Sequence, residues 1–461
     1  RQLLTMPIPS DRAARQAPTP RPRPSARLLS VIVASFLLAG CTLPRAAEHE
    51  LSGTGAMPAA TRRAADTTPP SDATLPAPGR VTPGITVLVR DSLHLLRGKR
   101  VGLITNHTGR DASGTSSIDL LYRAPGVRLT ALFGPEHGIR GAAEAGVKVG
   151  GGVDSATGVR VYSLYGDTRV PTPAMLREID VLVYDIQDVG ARVYTYPWTM
   201  ALAAEAAGKA GIPFVVADRP VPIGGTVVQG GVLDTTYRSF VGQYPVALRY
   251  ALTAGELLRH LVRTGQVRAQ LHVMPAAGWR RTQWYDETGL PWVAPSPNLR
   301  TLDAAVLYIG TVFFEGTNLS EGRGTDAPFQ LVGAPWLDAA ALVADMRALA
   351  LPGVAFDTAT RTIAAGQKHG GATIPMVRVT VTDRDAVQAA DVGAWLLQRI
   401  HRRHRDRFEW RTAHMDRLAG TDELRRIVVR GADDELRALL ARWRAQSELF
   451  ARASAPDRLY P

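Results

Sequence analysis

Short, almost unbroken apolar runs recur between residues 99 and 218, and polar residues gather where each run ends. The runs KRVGLIT (99–105), VRLTALF (127–133), DVLVYDI (180–186) and IPFVVAD (212–218) are rich in Val, Ile and Leu and bounded by Gly, Pro and Asp. Continuous apolar runs, as opposed to alternating ones, predict strands covered on both faces, the environment of a parallel sheet. TMALAAEAAGKAG (199–211) predicts a helix that stops at glycine. Alternating strands and helices predict an α/β fold, a Rossmann-like open sheet domain at residues 83–299, whose ligands sit beyond the carboxyl ends of the strands.

After the proline-broken connection APSPNLRTL the pattern changes, and a smaller α+β C-terminal domain is expected at residues 300–461. DAAVLYIGTVFFEG (303–316) reads as a strand running into the glycine-rich polar loop EGTNLSEGRGTD (315–326). TIPMVRVTVTD (373–383) also reads as a strand. Residues 336–349, 386–404 and 434–450 have helical apolar spacing, with their Trp and Leu positions in the core.

The N-terminal apolar run LLSVIVASFLLAG (28–40) is too short to span a bilayer, which needs about 20 apolar residues. Preceded by six arginines and one aspartate, it predicts a secretory signal over residues 1–40. LLAGC resembles the bacterial lipobox, so Cys41, the single cysteine, is expected to be acylated. That places the protein in the cell envelope, lipid-anchored on the periplasmic or extracellular side, with Thr42 favouring an outer membrane. Residues 41–82, rich in Ala, Thr, Pro, Ser and Gly, read as a flexible tether. The net charge of +12 is concentrated partly in the signal. The remaining basic residues are scattered apart from HRRHRDR (401–407), which reads as a solvated helix end, and no nucleic-acid motif accompanies them.

The chemistry gathers at the strand ends. TNHTG carries Asn106 and His107; GPEHG carries Glu136 and His137; YDIQDVGARVYTY carries Asp185, Gln187, Asp188, Arg192, Tyr194 and Tyr196; ADRP carries Asp218 and Arg219. The 315–326 loop adds Glu315, Asn318, Glu321 and Arg323. Each set alone could be structural, but this topology brings all four strand ends to one crevice. No G-x-G-x-x-G, P-loop, H-E-x-x-H or G-x-S-x-G is present, so no cofactor, metal or serine nucleophile is expected and carboxyl chemistry remains.

GLITNHTG, LFGPEHGIRG, VLVYDIQDVGARVYTY, ADRPVPIGG and GTNLSEGRGTD resemble the NamZ family of exo-β-N-acetylmuramidases over residues 82–461. The resemblance implies a glycoside hydrolase acting on peptidoglycan-derived muramyl saccharides, with Glu136 as catalytic glutamate. One departure is visible: Ile374 stands where the family's K-x-x-G-x-x-C stretch has cysteine, a change expected to touch packing.

A Glu in a partly desolvated cleft can hold the proton that a glycosidic leaving oxygen needs. His137 would polarise or position Glu136, or prop its loop. For the second group, either Asp185, Asp188, Glu315 or Glu321 serves as nucleophile or base, or the substrate's 2-acetamido oxygen attacks while Asp185 orients it. The lactyl carboxylate of muramic acid calls for a bidentate arginine; Arg192, Arg219 and Arg323 are candidates, Arg192 first. A rival class is a lipid-anchored, non-catalytic binder of cell-wall saccharide or peptide in the same crevice.

Overall fold

The computed structural model describes residues 80–140 and 150–461. The expected signal, Cys41 and nearly all of the expected tether lie outside the described residues. Val81 and Thr82, assigned to the tether, are folded: Val81 is fully buried and Thr82 bridges to Ala277.

The strands in chain order are β1 (Arg100–Thr105), β2 (Arg128–Gly134), β3 (Gly152–Val153), β4 (Arg160–Ser163), β5 (Val181–Asp185), β6 (Phe214–Ala217), β7 (Gln229–Val232), β8 (Ala247–Arg249), β9 (Leu271–Met274), β10 (Leu331–Gly333), β11 (Val354–Thr362) and β12 (Thr373–Val381). The helices are α1 (Gly84–Asp91), α2 (Ser117–Arg123), α3 (Pro173–Leu176), α4 (Tyr196–Lys209), α5 (Ala254–Arg263), α6 (Leu302–Thr311), α7 (Ala339–Ala348), α8 (Ala389–Arg403), α9 (Thr412–Ala419), α10 (Glu423–Arg430) and α11 (Asp433–Ser454).

The main sheet has the order β3-β4-β2-β1-β5-β6-β9, parallel except for the β3–β4 pair. From β1 the chain winds outward through β2 to β4, then crosses back to β5 and continues through β6 to β9. The winding direction reverses between β1 and β5, so their carboxyl ends form the topological switch point of a doubly wound sheet. The apolar runs are continuous because both faces are covered: in β1, Val101 and Leu103 join one core cluster and Ile104 the other.

The run at 303–316 departs from its expected strand. It forms α6 and then a 3₁₀ turn over Val312–Gly316. Thr301 caps α6 by accepting from the Ala304 amide at 3.1 Å, and every residue from Ala304 to Thr311 is buried. A helix buried all round loses the polar stripe that would reveal its period, so its pattern mimics that of a covered strand. Gly310 of α6 meets Gly393 of α8, and a Cβ on Gly310 would collide with the Ala389 carbonyl oxygen.

β10, β12 and β11 form the antiparallel second sheet in that order. Ile374 is fully buried there with Leu331, Ile363 and Met376. One apolar core runs from Val81 to Tyr460 across the expected division at residue 300. The C-terminus returns to the first half, where the Tyr460 hydroxyl donates to Asp218 at 2.6 Å. His401 corrects the expectation of a wholly solvated 401–407 segment: it is buried, its ring 5.2 Å from that of Phe408, while Arg402, Arg403, Arg405 and Arg407 are exposed.

Candidate active site

Immediately after β2 the chain makes a tight turn closed by the Gly138 amide donating to the Pro135 carbonyl at 2.9 Å. His137 occupies its third position with φ of 69°, left-handed backbone where glycine is the usual residue, and Gly138 follows at 72°. The turn buries His137 edge-on against Tyr196, ring centroids 6.5 Å apart, and leaves Glu136 partly exposed.

Glu136 faces a cleft of about 790 Å³. The Thr195 hydroxyl donates to its Oε2 at 2.6 Å. Tyr165, from the loop after β4, also hydrogen-bonds it; burial first, then the charge of Glu136, pushes that phenol well above its ordinary range. Tyr194, Tyr308 and Phe329 form an aromatic wall of the cleft. Tyr308 lies edge-on to Tyr194 at 6.0 Å and to Phe329 at 4.7 Å.

The second half supplies the charge. Arg323 donates to Glu315 at 2.6 Å and pairs with Glu321 at 3.0 Å. Lys368 bonds Glu321 at 2.9 Å, the Phe314 carbonyl at 2.8 Å and the Leu319 carbonyl at 2.9 Å. His414 stands 3.7 Å from Glu315. Burial works to raise Glu315, but His414 and Arg323 outweigh it and hold the carboxyl down at about 2. The cleft therefore contains a carboxylate that stays ionised. Arg411 lines it as well, with an exposed side chain.

Several expected site residues lie elsewhere. Asp185 is fully buried and takes both oxygens into Arg219, Nε at 2.6 Å and Nη2 at 2.9 Å, so the two neutralise each other and neither lines the cleft. Around Gln187, Asp188 and Arg219 the open space is about 10 Å³, at the lower limit for one water. Gln187 donates to the Asp188 and Pro220 carbonyls at 2.9 and 2.8 Å, and Tyr250 donates to Asp188. Asp218 accepts from Thr253 and Tyr460, both at 2.6 Å.

Arg192, the first choice for the lactyl carboxylate, is fully buried and donates to the Leu418 and Ala419 carbonyls at 3.0 and 3.1 Å. It secures the last turn of α9, where free carbonyls attract a cation. Burial without a carboxylate pulls its guanidinium down to about 9.

Other expected residues position the cleft from behind. Asn106 accepts from the Thr108 amide and hydroxyl at 2.9 and 2.6 Å. His107 and Tyr196 hold the Ala294 and Pro295 carbonyls, each at 2.8 Å, and so fix the segment that presents Ser296. Asn318 grips Arg407 and Glu409, on the path to Arg411. Glu136, His137, Tyr194, Glu321 and Arg323 do line the cleft, as does Glu315.

Residues 101–303 match the family described as Exo-beta-N-acetylmuramidase NamZ, N-terminal, and residues 306–460 match its C-terminal counterpart. The chain belongs to the NamZ family of exo-β-N-acetylmuramidases. A Bacillus subtilis (strain 168) protein described as peptidoglycan beta-N-acetylmuramidase NamZ is 45% identical over 383 residues, 83% of this chain and 92% of that protein. Two crystal structures of DUF1343 family proteins from Bacteroides fragilis share the fold. One is 37% identical, TM-score 0.77, over 84% of this chain and all of the other. The second is 27% identical, TM-score 0.65, over 82% and 99%.

In this NamZ-family cleft, Tyr165, Thr195, Ser296, Tyr308, Lys368, Arg411 and His414 were missed from sequence. Two of these had a local signal: Thr195 sits inside the YDIQDVGARVYTY motif and Lys368 in the K-x-x-G stretch after β11. The others come from separate elements with no shared spacing, so only folding brings them together.

Proposed function

We propose that Glu136 is the general acid of this glycoside hydrolase, an exo-acting enzyme that releases non-reducing terminal N-acetylmuramic acid from peptidoglycan fragments. One observation carries the assignment: a left-handed turn presents the carboxyl into the cleft while the Thr195 and Tyr165 hydroxyls grip it. Glu136 gives its proton to the glycosidic oxygen as the bond to the anomeric carbon breaks, water adds to that carbon, and the proton the water sheds returns the Glu136 carboxylate to its acid form. Glu315, kept anionic by Arg323 and His414, supplies the negative charge that an oxocarbenium-like transition state needs. Asp185 is tied up by Arg219 and takes no part in this reading.

Glu136→Gln keeps size but loses the acidic proton. On a muramyl-glucosamine disaccharide it is expected to cost at least about 10²-fold in kcat, and on a nitrophenyl muramide, whose leaving group scarcely needs protonation, far less. Equal losses on both substrates would remove Glu136 from the role. Saturable binding by the wild type without turnover would instead favour a non-catalytic binder.

The LLAGC run supports a lipid anchor at Cys41 that holds the enzyme on the outer side of a membrane, where peptidoglycan fragments are released. Two or more acyl chains anchor stably where one does not. Cys41→Ser is expected to yield unprocessed or soluble protein; unchanged membrane association and gel mobility would overturn the anchor.

A further inference from the structure

Three arginine or lysine side chains line the cleft: Arg323, Lys368 and Arg411. Arg323 is shared between Glu315 and Glu321. Lys368 has three donors, and all three are taken by Glu321 and two backbone carbonyls. Arg411 is different. Among the described residues its guanidinium makes no hydrogen bond and no ion pair, although its backbone is fixed at both ends. Its amide donates to the Gly316 carbonyl at 2.8 Å, and its carbonyl accepts from the His414 and Met415 amides, each at 2.9 Å. A rooted base with an uncommitted fork is the form of a binding arginine. Arg411 is also the residue that opens α9, whose N-terminal turn adds positive potential.

N-Acetylmuramic acid differs from N-acetylglucosamine by a lactyl ether that ends in a carboxylate. We propose that Arg411 receives this carboxylate through a bidentate hydrogen-bonded pair, and so sets the preference for muramic acid over N-acetylglucosamine. This rests on the glycosidase reading above. Arg192 and Arg219 cannot serve, being buried and bonded elsewhere. Arg323 would have to abandon Glu315, the carboxylate it keeps ionised.

The test compares two substrates in each protein: 4-nitrophenyl β-N-acetylmuramide, and the same compound with its lactyl carboxylate converted to a neutral methylamide. In the wild type, kcat/KM is expected to favour the acid by at least about tenfold, carried mainly by KM, as a charge-assisted bidentate bond implies. In Arg411→Ala this preference is expected to fall to near unity, and Arg411→Lys to restore part of it. A ratio taken within one protein does not depend on how much of a variant is folded. An acid preference unchanged in Arg411→Ala overturns the assignment, as does a wild type indifferent to the charge. A wild type that leaves the muramide intact overturns the glycosidase reading itself, and needs no variant to reveal it.

Discussion

Asp188 and Asp218 are both buried, and burial pushes each carboxyl up to about 6 despite the hydroxyls and amides that bond them. Glu315, half-buried on the wall of the cleft, is held at about 2 because Arg323 and His414 are beside it. The difference is the presence of a cation, helped by the opening to solvent. For the two aspartates the folded value exceeds the unfolded one, about 3.9, so their contribution to stability is fully present below pH ~4 and is lost as pH rises through about 6. Glu315 works in the opposite sense: its contribution is present above its unfolded value and is lost as pH falls towards 2. Asp188→Asn removes one titration, so chemical denaturation between pH 4 and 7 is expected to show a shallower decline than wild type. The variant should gain on the wild type by up to about 2–3 kcal/mol over that interval. Parallel stability curves would show that Asp188 does not titrate there.

Among the elements, α6 is where packing overrode pattern. Its apolar run suited a covered strand equally well, and the signals that favoured a helix, the Thr301 cap and Asp303 in the first turn, are short and local. The α6–α8 crossing depends on Gly310 and Gly393 lying backbone to backbone. Gly310→Val is therefore expected to force the helices apart and cost about 2 kcal/mol or more, seen as a melting temperature several degrees lower. An unchanged melting temperature would mean that the crossing has room to yield. β1, β2, β5 and β6 were legible because length, β-branched content and glycine or proline boundaries agreed with their burial. The turn after β2 was legible as a bend, but not its strain: His137, and not glycine alone, carries the left-handed backbone.

Across the whole molecule the cleft belongs to both halves. Glu136, Tyr165, Tyr194 and Thr195 come from the doubly wound sheet, while Glu315, Glu321, Arg323, Lys368, Arg411 and His414 come from beyond residue 300. The same halves share one apolar core. Arg192 reaches from the first half to the end of α9, and α9 bears His414. The contact that displaced Arg192 from its expected role thus ties the acid-bearing sheet to the helix beside Glu315. The space that a doubly wound sheet usually keeps for ligand at its switch point is filled by the Asp185–Arg219 pair, and the open cleft stands at the end of β2.

By itself the sequence determined the parallel sheet, the site of its polar strand ends, and a carboxyl set on a bend at Glu136, because each follows from neighbours within a few residues: apolar runs, glycine and proline boundaries, a motif intact along the chain. Tertiary structure alone decided which polar residues face the cleft. Asp185 and Arg219 are 34 positions apart, and Arg192 lies 226 from the carbonyl of Leu418. Nothing local says that these charges are paired or buried. A buried charge is drawn to whatever oppositely polarised group the fold brings within about 3 Å, and the charges that reach the cleft uncommitted are the ones a ligand can use.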